Sequence, residues 1–268
     1  MKPFLNDRRF RYYYQPNHGQ AAAKNAGIRL TSGELVAFID ADDAWAPEKL
    51  ERQVSLFANP AVGVVFCGYD YMDQAGHLQP FDGPVGYWRF QRGRVTKWLA
   101  FDNFVPWSGS VVRRTLLNAH GDLDESLGMG VDWDLWLRLS CVTEFDYVDD
   151  RLLIYRRGHW EQMSANWEGR IASSDVIFAK FTREHPDALT AKELRRVELY
   201  NACSRAATYR RRDLRKSTAL LWKAARLSPF SVAPYVGLLK NAWVMVRAGP
   251  AVAEAKASSR SPRALRPR

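Results

Sequence analysis

Apolar and polar positions follow two regimes along this chain. Up to about residue 165, short apolar runs alternate with amphipathic stretches; beyond it the spacing is helical almost throughout. Residues 35–39, Leu-Val-Ala-Phe-Ile, form an apolar run of the kind a buried strand requires, and residues 62–68 form another. Residues 9–15 read as an aromatic-rich strand closed by the turn residues Pro16, Asn17 and Gly19. Residues 20–30 predict a helix with an Ala-rich packing face, and residues 49–57 a helix whose apolar side is Leu50, Val54 and Phe57. Strand, helix, strand, helix, strand in this rhythm indicates βαβ units and a parallel sheet, hence an α/β fold.

The middle of the chain is less regular. Gly76, Pro80, Gly83, Pro84 and Gly86 mark residues 73–107 as a loop region. Residues 108–112 predict a strand, and residues 132–139 a helix with Trp133, Trp136, Leu137 and Ser140 on one side. Residues 145–149 and 152–155 predict a hairpin or strand pair. Helices follow at 175–183, 191–211, 215–227 and 232–246, the last with the apolar stripe Val232, Tyr235, Val236, Leu239, Trp243 and Val246. The organisation this predicts is an α/β domain over 1–165, a helical extension over 166–250 and a disordered basic tail over 251–268.

Composition adds exclusions. With 47% hydrophobic and 25% charged residues the chain reads as an ordinary globular protein, and no run of about 18 apolar residues marks a membrane span. Residues 2–11 do not form a secretory signal, so a cytoplasmic setting is expected. Cys67, Cys141 and Cys203 are odd in number and far apart, which predicts free thiols in a reducing compartment. The net charge of +10 is uneven. Residues 195–226 carry ten Lys or Arg against two acids and residues 251–268 five against one, so the remainder is slightly acidic. Any preference for an anionic membrane belongs to the back of the chain, and no nucleic-acid-binding motif accompanies that charge.

The chemistry concentrates where the run 35–39 ends. Asp40, Asp42 and Asp43 are three carboxylates within four residues, which repel one another unless a cation sits among them. Hard oxygen ligands suit Mg²⁺ or Mn²⁺ with a phosphorylated ligand; the alternative is that Asp42 or Asp43 caps the helix that begins near Pro47. Asp132 at a helix start is equally consistent with a charge placed on the helix dipole.

Four blocks in order carry a resemblance. They are Gln15-Pro16-Asn17-His18-Gly19 with Ala23-Lys24-Asn25-Ala26-Gly27-Ile28; Phe38-Ile39-Asp40-Ala41-Asp42-Asp43-Ala44-Trp45; Gly121 to Glu125 with Val131-Asp132-Trp133-Asp134-Leu135-Trp136; and Tyr155-Arg156-Arg157-Gly158-His159. Over residues 9–165 the chain resembles the inverting nucleotide-sugar glycosyltransferases of family 2, which have a GT-A fold. The family's opening strand–helix–strand, which grips the nucleotide, has no counterpart ahead of Met1. The chain therefore reads as N-terminally truncated, whether by a misplaced gene start or as a real short form. Val131 also stands where the family usually has an acid.

The resemblance implies transfer of a sugar from a nucleotide-sugar to an acceptor hydroxyl, in polysaccharide, glycolipid or glycoprotein assembly. It implies Asp132 as the base, Asp42 on the metal, and Lys24, Asn25 and Asp40 on the donor. Trp45, Trp107 and Trp133 are assigned to the acceptor sugar, and His159 near the diphosphate or acceptor. Core packing is the competing reading for each Trp, and a solvated helix face for Lys24 and Asn25. The implied partners are the donor and a sugar or lipid-linked acceptor, with peripheral membrane contact through the C-terminal basic helices. The alternative function is a non-catalytic remnant or scaffold that cannot hold the donor.

Overall fold

The structure, a computed structural model, describes residues 6–79, 90–158 and 166–248; His159 and residues 251–268 lie outside this set. The chain divides into two compact units, Met1–Leu189 and Thr190–Arg268. The division follows Leu189, so the helix over 167–184 belongs with the first unit, and the sequence-based boundary at 165 precedes it.

The first unit holds strands β1 (Leu35–Ala37), β2 (Ala44–Trp45), β3 (Val62–Met72), β4 (Leu78–Gln79), β5 (Val111–Arg113) and β6 (Glu144–Arg156). Its helices are α1 (Gly19–Leu30), α2 (Lys49–Leu56), α3 (Thr96–Leu99), α4 (Arg114–His120), α5 (Val131–Ser140) and α6 (Trp167–Glu184). The strands form one sheet in the order β1-β5-β3-β6-β2, with β4 on β3. Strands β1 and β3 are both antiparallel to β5 and so run the same way, and β6 is parallel to β3. The common direction expected of the main strands therefore holds. The expected parallel pairing holds only at β3–β6 among the described residues, because β5 inserts antiparallel between β1 and β3. A fully apolar run reveals that a strand has covered faces and two neighbours, and is silent on which way those neighbours point.

Strand β3 is the axis of the core: its first seven residues are buried, and Val64, Val65, Phe66 and Cys67 are wholly inaccessible. Leu135, Trp136, Leu137 and Leu139 of α5 are equally buried, as are Phe145 and Leu153 of β6. The predicted hairpin over 145–155 is a single strand. Cys67 pairs with Val148 and Gly68 with Arg151, so Asp149 and Asp150 bulge out where a turn was expected. Residues 10–15 are irregular, not a strand, and Tyr12, Tyr13 and Tyr14 are exposed; among the described residues no strand pairs with them.

Helix α2 is rotated from its predicted orientation. Leu50 and Val54 face solvent while Lys49 and Gln53 are fully buried. The Lys49 ammonium donates to Gln53 Oε1 at 2.7 Å and lies 4.1 Å from the Trp45 ring centre. Gln53 Nε2 in turn donates to the Gly109 carbonyl at 2.8 Å. Burial of these groups is tolerated because each finds a partner, and burial lowers the Lys49 pKa to about 8.

The second unit contains α7 (Ala191–Tyr209), α8 (Leu214–Leu227) and α9 (Val232–Ala248). Thr190 and Glu193 form a reciprocal capping box at the start of α7, and the Asp213 side chain accepts from Lys216 N–H at the start of α8. Among the described residues no helix is long and apolar enough to cross a membrane.

Gly63 on β3 has no room for a methyl group: a Cβ there would overlap Leu116 Cδ1 and Thr143 Oγ1. That hydroxyl is already committed, donating to the Ala61 carbonyl at 3.0 Å. Gly63→Ala is expected to lower stability by about 1–3 kcal/mol. Gly27→Ala, on an open helical position, is expected to leave it unchanged or raise it by up to about 1 kcal/mol. Urea denaturation midpoints for the two variants check the contrast, and equal midpoints would refute it.

Candidate active site

The acidic segment after β1 is held by three neighbours. Asp43 N–H donates to the Asp40 carbonyl at 3.1 Å, closing a turn. Asp40 N–H donates to Ser108 Oγ at 3.0 Å, and the Trp45 indole N–H donates to the Ser108 carbonyl at 2.6 Å. Ser108, itself buried, thus anchors the segment at both ends. Pairing of β2 with the end of β6 brings in Arg156. Its backbone N–H donates to Asp43 Oδ1 and its Nε to the Asp42 carbonyl, each at 3.1 Å. Asp43 Oδ2 is buried without a hydrogen-bond partner. Burial, reinforced by repulsion from Asp42 and Asp40, pushes the Asp43 pKa up to about 6.

Lys24 is the cation that meets this segment. It leaves α1 one helical turn after Gln20, whose Oε1 accepts from it at 3.2 Å. Its ammonium pairs with Asp40 Oδ1 at 3.1 Å and lies 4.4 Å from the centre of the Trp107 ring. Phe38 stacks on Trp107 at 4.0 Å. Phe38 and Lys24 thus both pack on that indole, and Trp107, which the resemblance assigns to the acceptor sugar, is buried.

Asp132 stands in the first turn of α5. Gly130 enters that helix in a left-handed conformation (φ 73°), which lets the chain turn sharply into it. Asp132 Oδ2 accepts from Asn103 Nδ2 at 2.8 Å. Burial raises its pKa; hydrogen bonds from the Trp133 N–H and Asn103 and the nearby Lys24 charge partly offset this. Helix α5 is itself pinned from α6: Lys180 donates to Asp134 at 2.9 Å and Asp124 at 2.7 Å, while Arg138 pairs with Asp134 at 3.0 Å. The fold thus brings Lys24, Asp40, Trp107 and Asp132 into one cluster, with Asp42 and Asp43 on the segment beside it.

Other predicted residues lie elsewhere in the packing. Asn25 is buried; its amide donates to the Leu123 carbonyl at 2.9 Å and to Glu125 at 2.8 Å, and its oxygen accepts from Leu123 N–H at 2.9 Å. It ties α1 to the turn before α5. The Trp133 indole points into the core and donates to the Leu99 carbonyl at 2.7 Å. Trp45 is half-buried between Ser108 and Lys49. A polar cavity of about 490 Å³ opens at the far end of α1, lined by Arg29, Arg114 and Asp122, and holds none of these residues. Ser108 and Asn103 were not foreseen, since a lone Ser and a lone Asn in a loop carry no spacing signal. Arg156 lay in a quoted block without a role.

Comparison with known proteins assigns the front of the chain. Residues 1–121 match the family model for Glycosyl transferase family 2. This segment is similar to glycosyltransferase family 2. An uncharacterized glycosyltransferase of Rickettsia typhi is 26% identical over 186 residues, covering 68% of this chain and 57% of that protein. An uncharacterized glycosyltransferase of Nostoc is 36% identical over 131 residues, covering 46% of this chain and 37% of that protein. The chain therefore spans little more than half of the first relative and less of the second. Among solved structures, S. aureus TarS 1–349 in complex with UDP-GlcNAc aligns over 90% of this chain and 75% of its own, at 15% identity and a TM-score of 0.49.

The raised pKa of Asp43 fixes the sign of a pH effect. In the unfolded chain the group titrates at its ordinary value of 3.8, and in the fold at about 6. Its contribution is most favourable below pH 4 and is lost as the pH rises through about 6. Asp43→Asn, which keeps an oxygen for Arg156 N–H, is therefore expected to gain about 1–2 kcal/mol over the parent at pH 7.5 after allowance for residual solvent screening, and little at pH 4. Thermal midpoints of both proteins at the two pH values measure this; a gain independent of pH would refute it.

Proposed function

We propose that this protein transfers a sugar from a nucleotide-sugar to an acceptor hydroxyl by single displacement with inversion, in the assembly of a polysaccharide, glycolipid or glycoprotein. The observation that carries the reading is Asp132: a carboxylate at a helix start, held by Asn103, raised in pKa by burial and set beside the Lys24–Asp40 pair. A carboxylate of ordinary acidity is a weak base at neutral pH, and one raised by burial is stronger. Asp132 takes the proton of the acceptor hydroxyl as its oxygen bonds to the anomeric carbon. The bond from that carbon to the diphosphate breaks, and the leaving group keeps the electron pair. Lys24 orients Asp40 toward the donor and supplies a positive charge near the diphosphate.

The residues fit a divalent cation in a limited way. Among the described residues no group of three acids, His or Cys is arranged to hold a metal. The buried, unpartnered Asp43 Oδ2 beside half-buried Asp42 does offer hard oxygen donors. Asp42 and Asp43 would hold Mg²⁺ or Mn²⁺ together with the donor's own phosphate oxygens, and the ion would neutralise charge on the leaving diphosphate. The acceptor is a sugar or a lipid-linked hydroxyl at the inner face of a membrane. A second reading, a non-catalytic remnant or scaffold that cannot hold the donor, draws support from the internal engagement of Asn25, which the resemblance places on the donor.

Transfer from a panel of nucleotide-sugars with Mn²⁺ separates the two. Asp132→Asn is expected to lower kcat by about 10²–10⁴-fold with donor affinity retained, and Asp42→Ala to weaken Mn²⁺-dependent donor binding. Undiminished transfer by Asp132→Asn would overturn the assignment, and a parent protein that neither binds a donor nor transfers from one would favour the second reading.

A further inference from the structure

Helix α9 is mounted with its apolar side outward. Val232, Val236, Leu239, Trp243 and Val246 recur at helical spacing along one side and all are exposed, Leu239 at 70% and Val246 at 81%. Phe230, in the turn before the helix, is 99% exposed. The side turned inward carries Pro234, Gly237 and the polar Asn241, which is 1% exposed.

Two contacts fix this rotation. Asn241 Nδ2 donates to Ser217 Oγ at 2.9 Å and to Thr218 Oγ1 at 3.0 Å, while Arg210 Nε donates to Asn241 Oδ1 at 2.9 Å. Gly237 lies so close to Leu221 of α8 that a Cβ there would overlap its side chain. Rolling the stripe inward would leave the Asn241 network unpaired and drive a bulky side chain into that contact. The outward stripe is thus enforced by the packing beneath it.

Charge selects what the stripe meets. From Thr190 to Ala248 there are thirteen Lys or Arg against three acids, and α9 itself contains no acid. Lys240 and Arg247 border the stripe, with the Arg247 guanidinium 4.0 Å from the centre of the Trp243 ring. Pairing with a second copy would set Lys240 and Arg247 of one α9 against those of the other, with no acid on either helix to meet them. Nucleic acid offers nothing to Leu239, Val246 or Phe230. An aliphatic stripe with a Trp, bordered by cations and lacking acids, suits the boundary between lipid headgroups and acyl chains.

We propose that α9 docks the protein on an anionic lipid bilayer, with Val232, Leu239, Trp243 and Val246 in the acyl boundary and Lys240 and Arg247 at the phosphates. The proposal stands apart from the transfer chemistry, since its residues lie outside that site.

Flotation of the full chain with phosphatidylcholine vesicles, with and without phosphatidylglycerol, tests it. Binding is expected only where phosphatidylglycerol is present, and to weaken with salt. Leu239→Glu with Trp243→Glu is expected to lower the partition coefficient at least about tenfold. Its helical circular dichroism and thermal midpoint should be retained, because both side chains are exposed. Lys240→Gln with Arg247→Gln is expected to lower partitioning about tenfold or more and to flatten the salt dependence. Absence of flotation with anionic vesicles, or equal flotation of the double Glu variant, would overturn the proposal. So would light scattering that shows a dimer dissociated by the double Glu variant without lipid.

Discussion

The cluster of Asp40, Trp107 and Asp132 depends on one ammonium group. Lys24 pairs with Asp40, its charge acts on Asp132, and its ammonium rests over the ring of Trp107. A unit charge about 4 Å from another is worth about 4 kcal/mol at the effective dielectric of a protein surface. Exchanging this cation for a neutral group would leave Asp40 without its ion pair and Asp132 without a charge that offsets its burial. Trp107 rests on Phe38, the first residue past β1, so the bed of the charge lies against the end of that strand. The same short stretch, Trp107 to Gly109, supplies Ser108 to the acidic segment, so one turn of 3-10 helix sets both the cation's bed and the carboxylates' backbone.

What could be read in advance was whatever repeats. Helices α1, α5, α7, α8 and α9 begin and end close to their predicted limits, since helical periodicity over many residues is a strong signal. The acidic segment and Asp132 stood out as charges at element ends, and the structure gathers Asp40, Asp132, Lys24 and Trp107. The burial of Trp107 and Trp133 was not legible, because an indole's place in a sequence does not reveal where it packs. Asn103 meets Asp132 across 29 residues of chain and Ser108 meets Asp40 across 68, distances at which no local pattern survives.

The rotations of α2 and α9 share a cause. Amphipathic reading assumes that apolar residues turn inward, and that assumption fails where a polar residue brings its own partners. Lys49 with Gln53, and Asn241 with Ser217, Thr218 and Arg210, are satisfied networks, and burying them does not leave an orphaned donor. The apolar residues on the far side, Leu50 and Val54 in one case and Leu239 and Trp243 in the other, are then displayed as a geometric result.

The bulge at Asp149 and Asp150 carries a consequence for how this chain tolerates insertion and loss. From Cys67 to Tyr69 strand β3 advances two residues, while its partner advances five, from Val148 to Leu153. The three surplus residues are taken up in the irregularity, and the strands pair one to one again from Tyr69 with Leu153 to Met72 with Arg156. Tyr155 thus stands opposite Tyr71 and also meets Tyr69. Removal of one residue beyond the irregularity would exchange the two faces of the end of β6 and carry Arg156 away from Asp42 and Asp43. Removal within it would draw on slack that the strand already holds.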